Sequence, residues 1–130
     1  MPRLFLLFNH YPLTPEQQSD ARTSLGVEEV ITPPEKIRSL WSQFPPDAKG
    51  LASLLQPVRD WLVTAAIPGD LVLIQGDFGA CYLMISFAMS QDLIPIYSTT
   101  ERQAFEERLD DGSVHLVHRF RHVRFRLYGD

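Results

Sequence analysis

The chain has one cysteine, Cys81. It cannot close an intrachain disulfide and offers no metal-ligand spacing, so the sequence fits a reducing compartment. Long hydrophobic runs are missing too. The longest, around residues 80–89, is interrupted by Ser86 and is far too short to span a bilayer. The run Leu4 to Phe8 is too short for a signal segment and meets Asn9-His10 at once, so a cytoplasmic protein with no membrane partner is expected. Basic charge is scarce: 12 Lys and Arg stand against 16 Asp and Glu, for a net charge of −4. That balance argues against a general nucleic-acid coat, and no DNA partner is expected. Neither a Walker loop with its Lys-Ser/Thr nor GxGxxG occurs, which disfavours a nucleoside triphosphatase. No His, Cys, Asp and Glu cluster has metal-site spacing, and no Ser-His-Asp arrangement is legible. No metal and no cofactor are expected.

What is present is the ordinary composition of one globular domain, 45% apolar and 22% charged over residues 1–130. Leu4 to Phe8 is apolar without alternation, as in a strand buried on both faces. Thr14-Pro15-Glu16-Gln17 supplies an N-cap, a proline at the first helical position and a capping-box partner, and Gly26 closes that helix. Val27 to Ile31 is a short strand. Thr32-Pro33-Pro34-Glu35 repeats the cap signature before a helix with Ile37, Leu40, Trp41 and Phe44 on one face. The stripe from Leu51 to Ala65 is helical, with Pro57 bending or restarting it. Leu71 to Ile74 is a buried strand, Asp77 to about Gln91 a helix, and Ile94 to Tyr97 a strand ending in Ser98-Thr99-Thr100. Beyond it, Arg102–Leu109 and Val114–Val117 read as a hairpin around Asp110-Asp111-Gly112, and Val123 to Tyr128 as a half-exposed last strand. The alternation predicts an α/β fold: a Rossmann-like three-layer sandwich with a mainly parallel sheet and a C-terminal β-hairpin extension.

Charge is uneven along this tail. Glu101 to Asp111 holds five acids, whereas Ser113 to Tyr128 holds four arginines, three histidines and no acid. Either the basic segment forms an anion-attracting surface, or paired strands set opposite charges across from each other.

Ligands of open α/β sheets bind outside the carboxyl ends of the strands. Three strand ends carry polar residues with chemical capacity: Asn9-His10, Gln75-Gly76-Asp77-Phe78-Gly79 and Ser98-Thr99-Thr100. In the second, two glycines lead into a helix whose free N–H groups suit a phosphate, Gly76 permits close backbone approach, and Asp77 can cap the helix. The alternative is a simple capped turn. His10 has the pKa range to protonate a leaving oxygen, with a solvent-exposed loop histidine as the alternative. Thr99 and Thr100 offer hydroxyls, or else cap a short helix, and Arg102 offers charge-assisted bonds to phosphate. Arg121, Arg124 and Arg126 either contact phosphates or form a solvated strand face. Arg121 reads better as a solvated strand residue.

Taken in order, Leu4-Phe5-Leu6-Leu7-Phe8-Asn9-His10, Leu73 to Ala80, Pro95 to Arg102 and Phe120 to Arg126 resemble small type III CRISPR-associated accessory proteins of the Csx series. The resemblance implies a homodimeric ring nuclease. Such proteins bind cyclic oligoadenylate, notably cyclic tetra-adenylate, and cut it to linear products, which ends an antiviral defense response. Metal-free cutting needs a ribose 2′-hydroxyl aligned behind its own phosphate and a stabilised transition state. On this resemblance His10, Asn9 and Arg102 are the expected catalytic residues. Gln75, Gly76, Asp77, Phe78, Gly79, Ser98, Thr99, Thr100 and Arg124 are the expected ligand contacts. The apolar helix with Tyr82, Met84, Ile85, Phe87 and Met89 has surface to spare for a second subunit, unless the C-terminal strands cover it. Two other readings stay open: a non-catalytic module that binds or sequesters the same messenger, and a scaffold that uses its Arg-rich strand to hold a partner.

Overall fold

The computed structural model describes residues 1–9 and 12–130. Five strands and four helices follow one another as β1 (Arg3–Leu7), α1 (Pro15–Leu25), β2 (Glu29–Ile31), α2 (Glu35–Ser42), α3 (Gln56–Ala65), β3 (Leu71–Ile74), α4 (Phe78–Ser90), β4 (Ile94–Arg108) and β5 (Val114–Leu127). They build one mixed α/β sheet in the order β2-β1-β3-β4-β5. The first four strands are parallel, and β5 runs antiparallel to β4.

The continuous apolar strands are buried on both sides because helices cover both faces. Leu4 and Leu6 of β1, Leu71 and Leu73 of β3, and Ile96 of β4 point to the side of α1, where Ala21 completes the packing. Phe5, Leu7, Val72 and Ile74 point to the other side, against Ile37 and Trp41 of α2, Val58 and Leu62 of α3, and Met84 of α4. Period-two alternation thus splits one run of apolar residues between two cores.

Local signals placed most helix ends. Thr14 caps α1 in a full capping box with Gln17, and Gly26 ends it in the left-handed conformation at φ 66°. Pro57 lies in the first turn of α3, so the Leu51-to-Ala65 stripe becomes turns followed by a helix. Thr32 does not cap α2, whose N-cap is Pro34 without a side-chain bond.

The C-terminal segment departs most from the sequence reading. β4 does not end at Thr100 and β5 is not split: they pair from Ile96↔Leu127 out to Arg108↔Val114. No glycine or proline interrupts either strand beyond Pro95, and the β-branched Thr99 and Thr100 favour extended backbone, so the ladder continues. β3 covers β4 only as far as Ile96. Past that point the two strands form a ribbon that leaves the sheet.

Candidate functional site

The order of strands reverses at β1, which leads to β2 on one side and pairs with β3 on the other. The carboxyl ends of β1 and β3 therefore face a crevice. The recesses that the described residues line there include one on the α1 side and one on the α2 side.

The α1-side recess is a groove of about 770 Å³ between the start of α1 and the β4–β5 ribbon. Gln75, Ser98, Thr100 and His122 line its floor, and Phe8, Phe105, Phe120, Arg119 and Arg121 contribute to its walls. Gln75 stands one residue beyond β3, and its side-chain oxygen accepts a bond from the Ser98 N–H at 2.7 Å. This contact extends the β3–β4 pairing past its last backbone pair and fixes Ser98.

Ser98 meets His122, whose Nδ1 lies 2.5 Å from the Ser98 Oγ. On its other side His122 Nε2 lies 2.8 Å from Asp20 Oδ2 of α1. A carboxylate only accepts, so Nε2 carries a proton; in the neutral imidazole Nδ1 is then the acceptor, and the Ser98 hydroxyl donates to it. Asp20 is itself fixed by Ser24, whose Oγ donates to Oδ1. Burial acts to raise the Asp20 carboxyl, but hydrogen bonds from Ser24 and His122 and the charges of His122 and Arg124 outweigh it. Its pKa lies below the ordinary carboxylate value. The imidazole is only 5% exposed and packs on the Phe125 ring at 4.6 Å between centroids.

A β-bulge accounts for this inward aim. Thr99 pairs with Arg124 but Thr100 pairs with His122, which leaves Val123 as the extra residue. Without the bulge Val123 would stand opposite Thr100, and His122 would turn away from α1. No Ser-His-Asp arrangement is legible in the sequence, because the fold builds this one from residues 24 and 102 positions apart.

The α2-side recess, about 340 Å³, is lined by Asn9, Asp77, Trp41 and the residues that follow α2. Asp77 accepts a bond from Ala80 N at 3.0 Å and caps α4, as its sequence position suggested. The carboxylate thereby occupies the helix end that was expected to suit phosphate. Gly76 does allow a close approach, but by Trp41: a Cβ there would lie 2.8 Å from Trp41 Nε1. That nitrogen donates to the Gln75 carbonyl at 2.8 Å.

The other expected site residues scatter. Phe78 projects from the first turn of α4 at 94% exposure, with Gly79 beside it near Leu51. Thr99 Oγ1 donates to the Arg124 carbonyl at 3.0 Å and ties β4 to β5. Arg102 Nε donates to His118 Nδ1 at 3.2 Å on the ribbon surface. Arg124 borders a separate recess with Leu25 and Asp130. Arg121, read as solvated, borders the groove, with Nε 3.7 Å from Glu16 Oε2. The register does set Glu101 opposite Arg121 and Glu107 opposite His115. His10 lies outside the described residues.

Among the described residues no group of three or more His, Cys, Asp or Glu is placed to hold a metal ion. Among them, too, no helix is long and apolar enough to cross a membrane. No solved structure matches the chain. A protein of Methanocaldococcus jannaschii described as "Uncharacterized protein MJ1673" is 48% identical over 128 residues, covering 98% of each chain. The model of the family with the same description matches residues 2–126, and the chain belongs to this uncharacterized protein MJ1673 family.

Proposed function

We propose that this protein binds cyclic oligoadenylate, with cyclic tetra-adenylate the first candidate, and cleaves it to linear products without a metal, so switching off a type III CRISPR antiviral response. The supporting observation is the α1-side groove, where aromatic, hydroxyl, amide and guanidinium groups converge on one space. Phe105 and Phe120 suit the stacking of unpaired bases. Arg119 and Arg121 suit phosphates, and Ser98, Thr100 and Gln103 suit ribose hydroxyls. At about 770 Å³ the groove is the size of a pocket for part of such a ring.

A homodimer would supply the rest, because a two-fold axis presents two like grooves to one symmetric ring. Phe78 at 94% and Tyr82 at 74% exposure, on neighbouring turns of α4, offer apolar surface for that contact. In this reading the fold is a Rossmann-like three-layer sandwich whose C-terminal hairpin forms one wall of the ligand site. Cleavage follows attack of a 2′-hydroxyl on the adjacent phosphorus, with departure of the 5′-oxygen. His10, four residues before the groove-lining Thr14, remains the candidate to protonate that oxygen.

The test is incubation with a panel of cyclic oligoadenylates in excess EDTA, followed by chromatography and mass analysis. Linear products ending in a 2′,3′-cyclic phosphate are expected, and His10→Ala slows their formation while leaving binding intact. Unchanged ligand after long incubation with stoichiometric protein overturns cleavage. The binding-only reading has its own support, since Asp77, Thr99 and Arg102 are all engaged in internal hydrogen bonds. Tight calorimetric binding with intact ligand recovered afterwards would establish it.

A further inference from the structure

We infer that Ser98, His122 and Asp20 form the proton relay of the groove: Ser98 takes the proton of the attacking ribose hydroxyl, and His122 takes the proton of Ser98. The inference rests on the proposed cleavage of a ribonucleotide phosphodiester. It is carried by three bonds in series. Ser24 and His122 hold the two oxygens of Asp20, Asp20 fixes the Nε2–H of His122, and the free Nδ1 accepts the Ser98 hydroxyl. Both Ser98 and His122 border the groove, so the donor end of the series opens on the ligand space.

A tie that only held α1 to the ribbon would need Asp20 and His122 alone. Adding a serine aimed at the basic nitrogen, with its own backbone N–H clamped by Gln75, sets up a hydroxyl whose proton can leave. Since Gln75 occupies that N–H, it is not available as an oxyanion donor. This disfavours attack by Ser98 itself and suits a relay to the substrate's own nucleophile.

The step balances as follows. The O2′–H bond breaks and its proton moves to Ser98 Oγ as the Ser98 proton moves to His122 Nδ1. The O2′–P bond forms and the P–O5′ bond breaks. The imidazolium gives its proton to water and so replaces the one that the general acid delivers to the 5′-oxygen, and a cyclic phosphate and a 5′-hydroxyl appear with no net gain or loss of protons. Asp20 is a positioning residue throughout.

Single-turnover cleavage of cyclic tetra-adenylate in EDTA tests the relay, alongside calorimetric affinity and circular dichroism. Ser98→Ala preserves the backbone bond to Gln75 and is the variant best placed to fold. It is expected to keep affinity within about threefold and to lose at least about 100-fold in rate. His122→Ala is expected to lose as much and to recover with added imidazole, which a purely structural histidine would not do. Asp20→Asn is expected to fall by about tenfold with unchanged affinity. A folded Ser98→Ala protein that cuts at the wild-type rate overturns the relay and leaves the functional reading standing. If the wild type leaves the ring intact, that reading fails, and uridine 3′-(4-nitrophenyl phosphate) becomes the probe, because its cleavage needs the same 2′-hydroxyl attack. Turnover that depends on Ser98 and His122 then upholds the relay; no turnover overturns both.

Discussion

The two recesses at the carboxyl edge of the sheet use similar residues for different ends. On the α2 side the polar groups are spent on the protein itself: Asp77 caps α4, and the Trp41 indole covers Gly76 and bonds to the Gln75 carbonyl. On the α1 side Gln75 and Asp20 also bond inward, but their bonds end at a serine and a histidine that border open space. A polar strand end is therefore not yet a site. What distinguishes the groove is that its hydrogen bonds run in series toward the cavity.

Activity should break this comparison or confirm it most sharply. His122→Ala, on the groove side, is expected to reduce turnover of cyclic tetra-adenylate at least about 100-fold, equivalent to about 2.7 kcal/mol of transition-state stabilisation. Gln43→Ala, in the recess on the opposite side, is expected to change it by about twofold. Paired single-turnover assays check this. Near-equal losses in the two variants would place the ligand across both recesses.

Stability should show the reverse dependence. Gly76→Ala drives a methyl group to 2.8 Å from Trp41 Nε1 and disturbs the indole bond to Gln75. A loss of about 2 kcal/mol is expected from overpacking, measured by denaturant unfolding. Unchanged unfolding would mean that Trp41 moves freely and that the α2-side recess is more open than its contacts imply. Asp77→Ala removes the α4 cap and is expected to cost about 1 kcal/mol in the same assay.

The sequence made the α2 side legible because its signals are local. Asp77 caps a helix that begins at the next residue, just as Thr14 and Gln17 cap α1 from positions three apart. The apolar runs of β1 and β3 likewise marked strands with helices on both faces. Trp41 was visible as a core residue, but its seat on Gly76 joins positions that only the packing of α2 on the sheet brings together. The groove was hidden for a different reason. Simple alternation from Phe125 back to His122 puts the two on opposite faces, and one bulged residue, Val123, reverses that result. The length of the β4–β5 ladder was missed because polar Ser98, Thr99 and Thr100 looked like a strand terminus, although no residue there breaks a strand.

Acid provides the finest probe of the difference between the two sides, and its sign is fixed by Asp20. Burial alone would raise that carboxyl, but the bonds from Ser24 and His122 and the nearby positive charges hold it below its ordinary value. A carboxyl with a depressed folded-state pKa contributes stability that is complete above its unfolded pKa, about 3.9. The contribution disappears as pH falls through the lower folded value. Asp20 should therefore help to hold α1 to the ribbon near neutrality and lose that contribution as pH falls below the ordinary carboxyl range. Asp20→Asn removes this dependence while keeping a bond acceptor for His122. The variant should be less stable than the wild type by about 0.5 kcal/mol near neutral pH, roughly 2 °C in melting temperature for a domain of this size. The gap should narrow below about pH 4, as the wild-type carboxyl protonates. Melting temperatures of both proteins across that range check the prediction. A gap that widened in acid would mean that the Asp20 carboxylate strains the folded groove rather than supporting it.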